Sequence, residues 1–314
     1  MRFFFIILST LLMFQISSQA TSTSQTYALP DFNEMFLAEV KQCAIKDIIY
    51  EGDTLIRYPP NLIMDNYSIP EGILHIDVNA FVDVGTGTIQ SLTLPSTLVS
   101  IGGVYGGCTD MYLGGVKNIY VHERNSLYSS LEGLLVSKNK QRLLFYPHGR
   151  TEQEFIVPDS IQIIGEYSCV SRNFHEVIFP LGLTHIEEGA FYGNFLKTIS
   201  FPDTLLSIGD NAFEASQGIK EIVFPLNLET IGYCAFAEST IEKIILNDGL
   251  THIDSCAFLG TTIKDIYLVE SLEFIGEDVC VFGDENGEPA IPIYSAEEDT
   301  YAYDWIHQEE LRWK

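Results

Sequence analysis

The chain has 314 residues, of which 46% are hydrophobic and 12% aromatic, which is enough for a packed interior and excludes a disordered protein. Its 43 acidic residues against 17 basic ones give a formal net charge of −26. This charge repels polyanions, so we expect no nucleic-acid partner, and anionic membrane surfaces are disfavoured as well.

The first twenty residues have the composition of a secretory signal peptide. Arg2 carries the one charge, an apolar run extends from Phe3 to Phe14, and the segment ends in small residues at Ala20. This run is shorter than the roughly 20 apolar residues that a membrane span requires. We therefore expect a signal peptide at 1–20 and a mature chain without a membrane span, either secreted or displayed at the cell surface.

Two hairpins interrupt an otherwise repetitive sequence. Residues 21–66 are predicted to form an N-terminal cap followed by a hairpin with Glu51-Gly52-Asp53 at its turn. A second hairpin is predicted as an insert at about 122–155, where Leu134-Leu135-Val136 and Leu143-Leu144-Phe145 flank a polar tip.

From 67 to 283 the sequence repeats the pattern Pro-x-x-Leu-x-x-Ile-Gly-x-x-Ala-Phe, followed by Ile-x-x-Ile-x-Phe. The isoleucine of the Ile-Gly step recurs every 22 or 23 residues, at Ile164, Ile186, Ile208, Ile231, Ile253 and Ile275. A fixed period with apolar residues in constant phase is typical of leucine-rich repeats, whose coils bury their apolar faces only by stacking. The sequence therefore predicts a leucine-rich-repeat solenoid.

Each coil is predicted to be dominated by β-structure, within the α/β horseshoe class. The Ile-x-x-Ile-x-Phe segment alternates like a strand, Leu-x-x-Ile forms a shorter extended piece, and we expect a helical turn at the Ala-Phe step. Residues 284–314 are predicted to form a C-terminal cap with a helix over 296–311. That helix would place Tyr301, Trp305 and Ile306 on one face.

Six cysteines are present, with no Cys-x-x-Cys pair, so neither a zinc site nor a redox motif is expected. Cys234 and Cys256 each follow the repeat isoleucine by three residues. Equivalent positions of adjacent coils lie roughly 4.8 Å apart, which suits a disulfide, and two stacked free thiols fit equally well. Cys169 and Cys280 occupy the slot of the repeat phenylalanine and are expected to fill the core.

We found none of the common catalytic or nucleotide-binding motifs, and therefore predict a protein that is not an enzyme and has no cofactor. His75, His185 and His252 all precede the repeat isoleucine. They lie in coils too far apart to share a metal ion, and we expect them to face solvent.

The strand positions that point away from the core predict a binding face. One outward row contains Tyr120, Ile178, Ser200, Val223, Ile245 and Tyr267, and the row beside it contains Asn118, Glu176, Thr198, Glu221, Lys243 and Asp265. An apolar and aromatic strip flanked by charges is suited to protein binding. The alternative is that tyrosine and β-branched residues are present only because they favour strands.

Over 67–283 this repeat resembles the BspA-like, or treponemal-type, leucine-rich repeat family. The resemblance implies a secreted or surface-displayed protein that acts as an adhesin or ligand-binding module, and it implies no catalytic residues. We therefore expect a non-enzymatic protein that binds a host or neighbouring-cell protein. The second hypothesis is a structural, self-assembling protein associated with the cell envelope.

Overall fold

The computed structural model of the protein describes residues 47–82, 84–85, 88–102, 113, 115–263, 265–279, 282–283, 289–290 and 293–312. These residues belong to one compact unit, Ala44–Lys314. The predicted signal peptide at 1–20, the first part of the N-terminal cap, and Cys43, Cys108 and Cys280 lie outside the described residues.

The described part of the chain consists of short strands and a single helix near its end. In chain order they are β1 (Ile49–Glu51), β2 (Thr54–Arg57), β3 (Met64–Ser68), β4 (His75–Ile76), β5 (Ile89–Leu94), β6 (Ser100–Ile101), β7 (Val116–Val121), β8 (Tyr128–Leu131), β9 (Leu134–Ser137), β10 (Arg142–Phe145), β11 (Glu154–Ile156), β12 (Ile163–Ile164), β13 (Glu176–Ile178), β14 (His185–Ile186), β15 (Ser207–Ile208), β16 (Glu221–Val223), β17 (Thr230–Ile231), β18 (Lys243–Ile245), β19 (His252–Ile253), β20 (Asp265–Tyr267), β21 (Phe274–Ile275), β22 (Phe282–Gly283), β23 (Pro289–Ala290), β24 (Ile293–Ser295) and α1 (Tyr301–Arg312).

The repeat isoleucines form one continuous parallel ladder. The two-residue strands β12, β14, β15, β17, β19 and β21 pair in sequence, so that Ile186 lies opposite Ile208 and Ile208 opposite Ile231. Each of these isoleucines is buried. The predicted solenoid is therefore confirmed, and its coils stack in the register that the sequence period dictates.

The longer strand of each coil forms a second wall, which is divided into short sheets. β3, β5 and β7 pair in parallel, as do β11 with β13, β16 with β18, and β20 with β24. In β11, β13, β16 and β18 the burial alternates, as in β16, where Ile222 is buried and Glu221 and Val223 are exposed. Because successive side chains of a strand point to opposite sides, this wall separates core residues from surface residues.

The Ala-Phe segment is a turn without a helix, contrary to the helical turn that we expected. In the coil of Phe213, the amides of Asn211, Phe213 and Ala215 donate to carbonyls of the next coil at 2.7–2.8 Å. The intervening amides, including that of Glu214, bond within their own coil. An α-helix would satisfy every amide within its own coil, whereas here alternate amides join neighbouring coils. Asn211 and Ala215 reach this geometry with positive φ.

Aromatic rings stack along the core at the same period. Phe191, Phe213, Phe236 and Phe258 follow one another with ring centroids 5.3, 5.1 and 5.6 Å apart and nearly parallel planes. Cys169 is fully buried in the equivalent slot of the preceding coil, as its position predicts. Stacked rings of this kind contribute beyond the area that they bury.

The segment predicted as the second hairpin contains β9 and β10, which pair antiparallel, and β8 adds a third strand. Its side chains divide between two hydrophobic cores. Leu134 and Val136 pack into the core of the later coils, whereas Leu135 and Phe145 pack into that of the earlier coils. The hairpin is therefore a wall shared by two stacks of coils.

Asn125 connects this hairpin to the coil before it. Its side chain is fully buried and uses both donors and its acceptor. The amide nitrogen donates to the carbonyls of Pro95 and Leu98, and the amide oxygen accepts from the backbone of Leu127 and Tyr128, all at 2.8–3.0 Å. A buried amide with all its hydrogen bonds made fixes the junction between coil and hairpin.

The helix α1 covers the last coil with Trp305 and Ile306 on its buried face, as predicted, but without Tyr301. Ala302, Trp305 and Ile306 are buried, whereas Tyr301 is exposed. Thr300 caps the helix, because its hydroxyl accepts from the Tyr303 amide at 3.2 Å. Trp305 and Ile306 follow Ala302 by three and four residues, which places the three side chains on one face of the helix. Tyr301 is the first helical residue and precedes this buried stripe.

One coil has 23 residues, and its extra residue is accommodated at Gly218. The additional residue lies between Phe213 and Ile219, which are six positions apart, where the next coil has five between Phe236 and Ile241. Gly218 has a φ of 102°, and a Cβ atom there would lie 2.6 Å from the Leu196 carbonyl oxygen. The insertion therefore leaves the core register intact only because this residue has no side chain.

We predict that Gly218→Ala destabilises the protein by at least about 1–2 kcal/mol, because alanine resists a positive φ and its methyl group meets backbone. Urea denaturation followed by circular dichroism measures this effect. Gly182→Ala is the matched control, since nothing lies within 4 Å of a Cβ at that position. Equal midpoints for the two variants would contradict the role of Gly218.

We predict that Phe213→Ala lowers the free energy of unfolding by about 3–5 kcal/mol, because it removes a ring from the middle of the stack and leaves a cavity. Phe195→Ala, at an exposed phenylalanine, should cost less than about 1 kcal/mol. Thermal and urea denaturation of both variants provide the comparison. Similar losses would show that the stacked rings are not the main source of stability.

Candidate protein-binding face

The outward residues of β11, β13, β16, β18 and β20, together with segment 198–200, form what we call the strand face. Its apolar members are exposed: Ile156 is 62% exposed and Val223 is 59% exposed. The side chains point outward because their strand neighbours Phe155, Val177 and Ile222 occupy the core. The strand face is therefore a consequence of strand alternation in coils that share one register.

Pairing brings some of the predicted residues into direct contact. Val223 lies opposite Ile245 and Glu221 opposite Lys243, and the last two form an ion pair at 2.7 Å. Both members of this ion pair are exposed, so we assign it little stabilising energy. Val223 and Ile245 form the apolar centre of the face.

The other predicted residues are distributed around this centre. Ile178 lies opposite Ile156, which the sequence reading had not selected, and Tyr267 lies opposite Ser295. Tyr120 is exposed, but it belongs to β7, which pairs with β5 in a different sheet. β8 and β9 also lie against β7, so the neighbours of β7 differ from those of the strand-face strands.

Two leucines that the sequence reading missed enlarge the apolar surface. Leu181 is 85% exposed and Leu226 is 70% exposed. Each follows the proline that ends a strand segment, at Pro180 and Pro225. The signal available in the sequence was the Pro-Leu step in these two coils, with Asp203 at the same position of the coil between them.

Ser200 lies in a depression within this surface. Segment 198–200 is not in a strand, although its counterparts β13 and β16 are. The groove there has a volume of about 410 Å³ and is lined by residues that include Ile178, Leu181, Ser200 and Asp203. Because this coil carries serine and aspartate where others carry isoleucine and leucine, the apolar strip has a notch in its middle.

Tyr267 closes one end of the strand face. Its hydroxyl hydrogen-bonds the Glu297 carboxylate at 3.2 Å. Partial desolvation and the adjacent Glu297 charge raise the pKa of the Tyr267 phenol, so it stays protonated and remains a hydrogen-bond donor at neutral pH.

Cys234 and Cys256 lie away from the strand face, in the same slot of adjacent turns. Both are free thiols in this structure. Burial is the main cause that raises the pKa of both thiols. A raised pKa lowers the fraction of reactive thiolate at neutral pH.

Among the described residues, no group of three or more histidine, cysteine, aspartate or glutamate side chains is arranged to hold a metal ion. No helix in that part of the chain is long and apolar enough to cross a bilayer.

The comparisons with known proteins concern the repeat region. Six copies of the family described as BspA type leucine rich repeat region match residues 145–264. No curated protein gives a significant match.

Two solved structures illustrate the similarity. A leucine-rich repeat protein from Eubacterium ventriosum has a TM-score of 0.52 and 20% identity, with 69% of this chain and 65% of that chain covered. The pneumococcal vaccine antigen PcpA has a TM-score of 0.49 and 18% identity, with 78% and 65% covered. This chain therefore spans about 65% of the length of each protein.

We predict that Cys234 and Cys256 alkylate slowly with iodoacetamide at neutral pH, without prior reduction, because burial disfavours their thiolates. Labelling should accelerate as the pH rises beyond the ordinary thiol pKa of roughly 8.5. Intact mass and peptide mapping across a pH series, with and without reductant, provide the measurement. Labelling of this pair only after reduction would establish the disulfide instead.

Proposed function

We propose that this chain, whose repeat region belongs to the BspA-type leucine-rich repeat family, is a non-enzymatic protein that binds another protein through its strand face. The observation that carries the proposal is a set of exposed aliphatic side chains on one surface. Ile178 and Leu181 are exposed in one coil and Val223 and Leu226 two coils later, with Ser200 and Asp203 in the coil between them. Large apolar side chains gathered on one exposed surface mark a site of interaction.

The chemistry of the face supports binding by packing. Burying one large aliphatic side chain contributes roughly 1.5–3 kcal/mol, and two such exposed residues, Ile178 and Leu181, line the notch. A partner that inserts one apolar side chain beside Ser200 would contact Ile178 and Leu181, which line the same groove. Interfaces commonly concentrate their binding energy in such a central pocket.

Two features of the face support a non-enzymatic role. The residues of the strand face and its notch include no histidine or cysteine, the side chains that most often act as general base or nucleophile near neutral pH. The groove at Ser200 is a depression in a wall of strands, not a cleft between domains.

We further propose that the protein acts outside the cell, either secreted or held at the cell surface. The signal peptide predicted at 1–20 supports export. A host protein or a protein of a neighbouring cell is then the accessible partner. The net charge of −26 favours a partner with a basic rim around its apolar contact.

Self-assembly at the cell envelope is the alternative use of an apolar strip. Copies that carry a charge of −26 each repel one another, and this repulsion weakens the alternative. Light scattering over a range of protein and salt concentrations separates the two. A monomer at high concentration and moderate salt supports binding of a different protein.

We predict that Val223→Asp reduces binding of a partner by at least about 30-fold, because it places a charge at the desolvated centre of the contact. An array of purified host extracellular proteins, probed with the mature chain from residue 21, identifies the partner. Surface plasmon resonance with that purified partner then gives the affinity of each variant.

Val99→Asp is the matched control, since Val99 is also an exposed valine but lies beyond the hairpin in the first stack of coils. Its affinity should equal that of the parent. A partner that binds both variants equally well would rule out the strand face as its site. Circular dichroism confirms that each variant is folded.

A further inference from the structure

A second groove lies over the repeat-isoleucine ladder, away from the strand face. It has a volume of about 500 Å³ and extends across β15, β17 and β19. Its floor consists of Ser207 and Thr230, which lie opposite each other in register, and of Gly209 and Gly232. In the two coils that form this floor, the outward positions therefore carry only small side chains.

Larger side chains close both ends of this groove. In the preceding coil, the positions equivalent to Ser207 and Gly209 hold His185 and Glu187. In the following coil, they hold His252 and Asp254. The glycines are required for this shape, because a Cβ atom at Gly232 would lie 2.5 Å from the Asp210 carboxylate. The groove is a fixed feature of the coil sequence and not a gap between loops.

An aromatic platform forms one end of the groove. The rings of His252 and Phe274 are stacked, with centroids 6.0 Å apart and planes 27° from parallel. Both side chains are exposed. Nδ1 of His252 lies 2.8 Å from the Thr251 hydroxyl, which holds the imidazole in this orientation. A planar group that enters the groove can therefore stack against an existing ring pair.

Two carboxylates line the groove beside this platform. One oxygen of Asp210 accepts a hydrogen bond from the Tyr233 amide at 2.9 Å, and one oxygen of Asp254 accepts from the Ser255 amide at 2.6 Å. These bonds fix each carboxylate while its second oxygen remains available to a ligand. No lysine or arginine is among the residues that line the groove.

We propose that this groove binds an arginine side chain presented by an extended segment of a protein or peptide. The guanidinium group is planar, stacks on aromatic faces and donates paired hydrogen bonds to carboxylates, so it fits a groove that is lined by a stacked ring pair and by aspartates. A lysine ammonium is a point charge that neither stacks nor bridges in this way. The groove crosses about two coil spacings, roughly 10 Å, which suits about three extended residues.

Charge complementarity favours arginine over an uncharged ligand. The groove carries carboxylates without a neutralising cation, and the whole chain carries a net charge of −26. The field of the protein therefore attracts a cationic segment and contributes nothing to a neutral saccharide. This site is independent of the strand face, so its test is separate from that of the proposed function.

The test uses the full mature chain and three blocked tripeptides with glycine on both sides of arginine, lysine or citrulline. NMR titration should give saturable binding of the arginine peptide at low ionic strength. Binding of the lysine peptide should be about fivefold weaker or less, and citrulline, which lacks the charge, should not bind. Equal affinity for arginine and lysine would overturn the proposal.

Variants of the groove complete the test. Asp254→Asn keeps the oxygen that accepts from Ser255 but removes the charge, and it should weaken arginine binding about tenfold. Phe274→Ala should weaken it about threefold to fivefold through loss of the stack. Ser207→Trp, which fills the floor, should abolish binding.

Asp65→Asn is the control, because it makes the same change in net charge at an exposed aspartate of β3, in the first stack of coils. It should leave the affinity for the arginine peptide unchanged. Equal losses from Asp65→Asn and Asp254→Asn would show attraction by the overall charge instead of a site. Binding of a neutral oligosaccharide without arginine binding would also overturn the proposal.

Discussion

The structure depends on the in-register stacking of successive coils. A single coil leaves its alternate turn amides, its two-residue strand and one face of its phenylalanine ring without partners, and the next coil supplies all three. Every coil must therefore repeat the same residue types in the same slots. Between Ile208 and Ile231 the stack accommodates one extra residue where Gly218 turns the chain at a positive φ.

Stacking also separates the residues that stabilise the protein from those that are free to bind. Inward positions such as Ile222 are constrained by the coils above and below, whereas outward positions such as Val223 contact only their lateral neighbours. Substitution on the outward rows therefore changes surface chemistry at little cost in stability. The hairpin between the two stacks uses the same alternation, because one strand contributes side chains to both cores.

The two outward surfaces differ in chemistry because their rows hold different residues. The strand face is apolar and notched at Ser200, which suits contact by packing. The groove over the isoleucine ladder combines aspartates with a stacked histidine and phenylalanine, which suits a planar cation. If both proposed surfaces bind, a single partner that carries an apolar anchor and a basic segment could engage them together.

The sequence by itself determined the solenoid, its register and the buried slot of Cys169, because a period of 22 residues fixes which side chains meet in neighbouring coils. It also identified Val223 and Ile245 as neighbours. The tertiary structure alone decided that the Ala-Phe turn is not helical, that Tyr120 lies in a different sheet from the other predicted residues, and how far Leu181 and Leu226 are exposed. Those features depend on which carbonyls accept hydrogen bonds from the turn amides and on the length and path of each loop. The period of the apolar residues specifies neither.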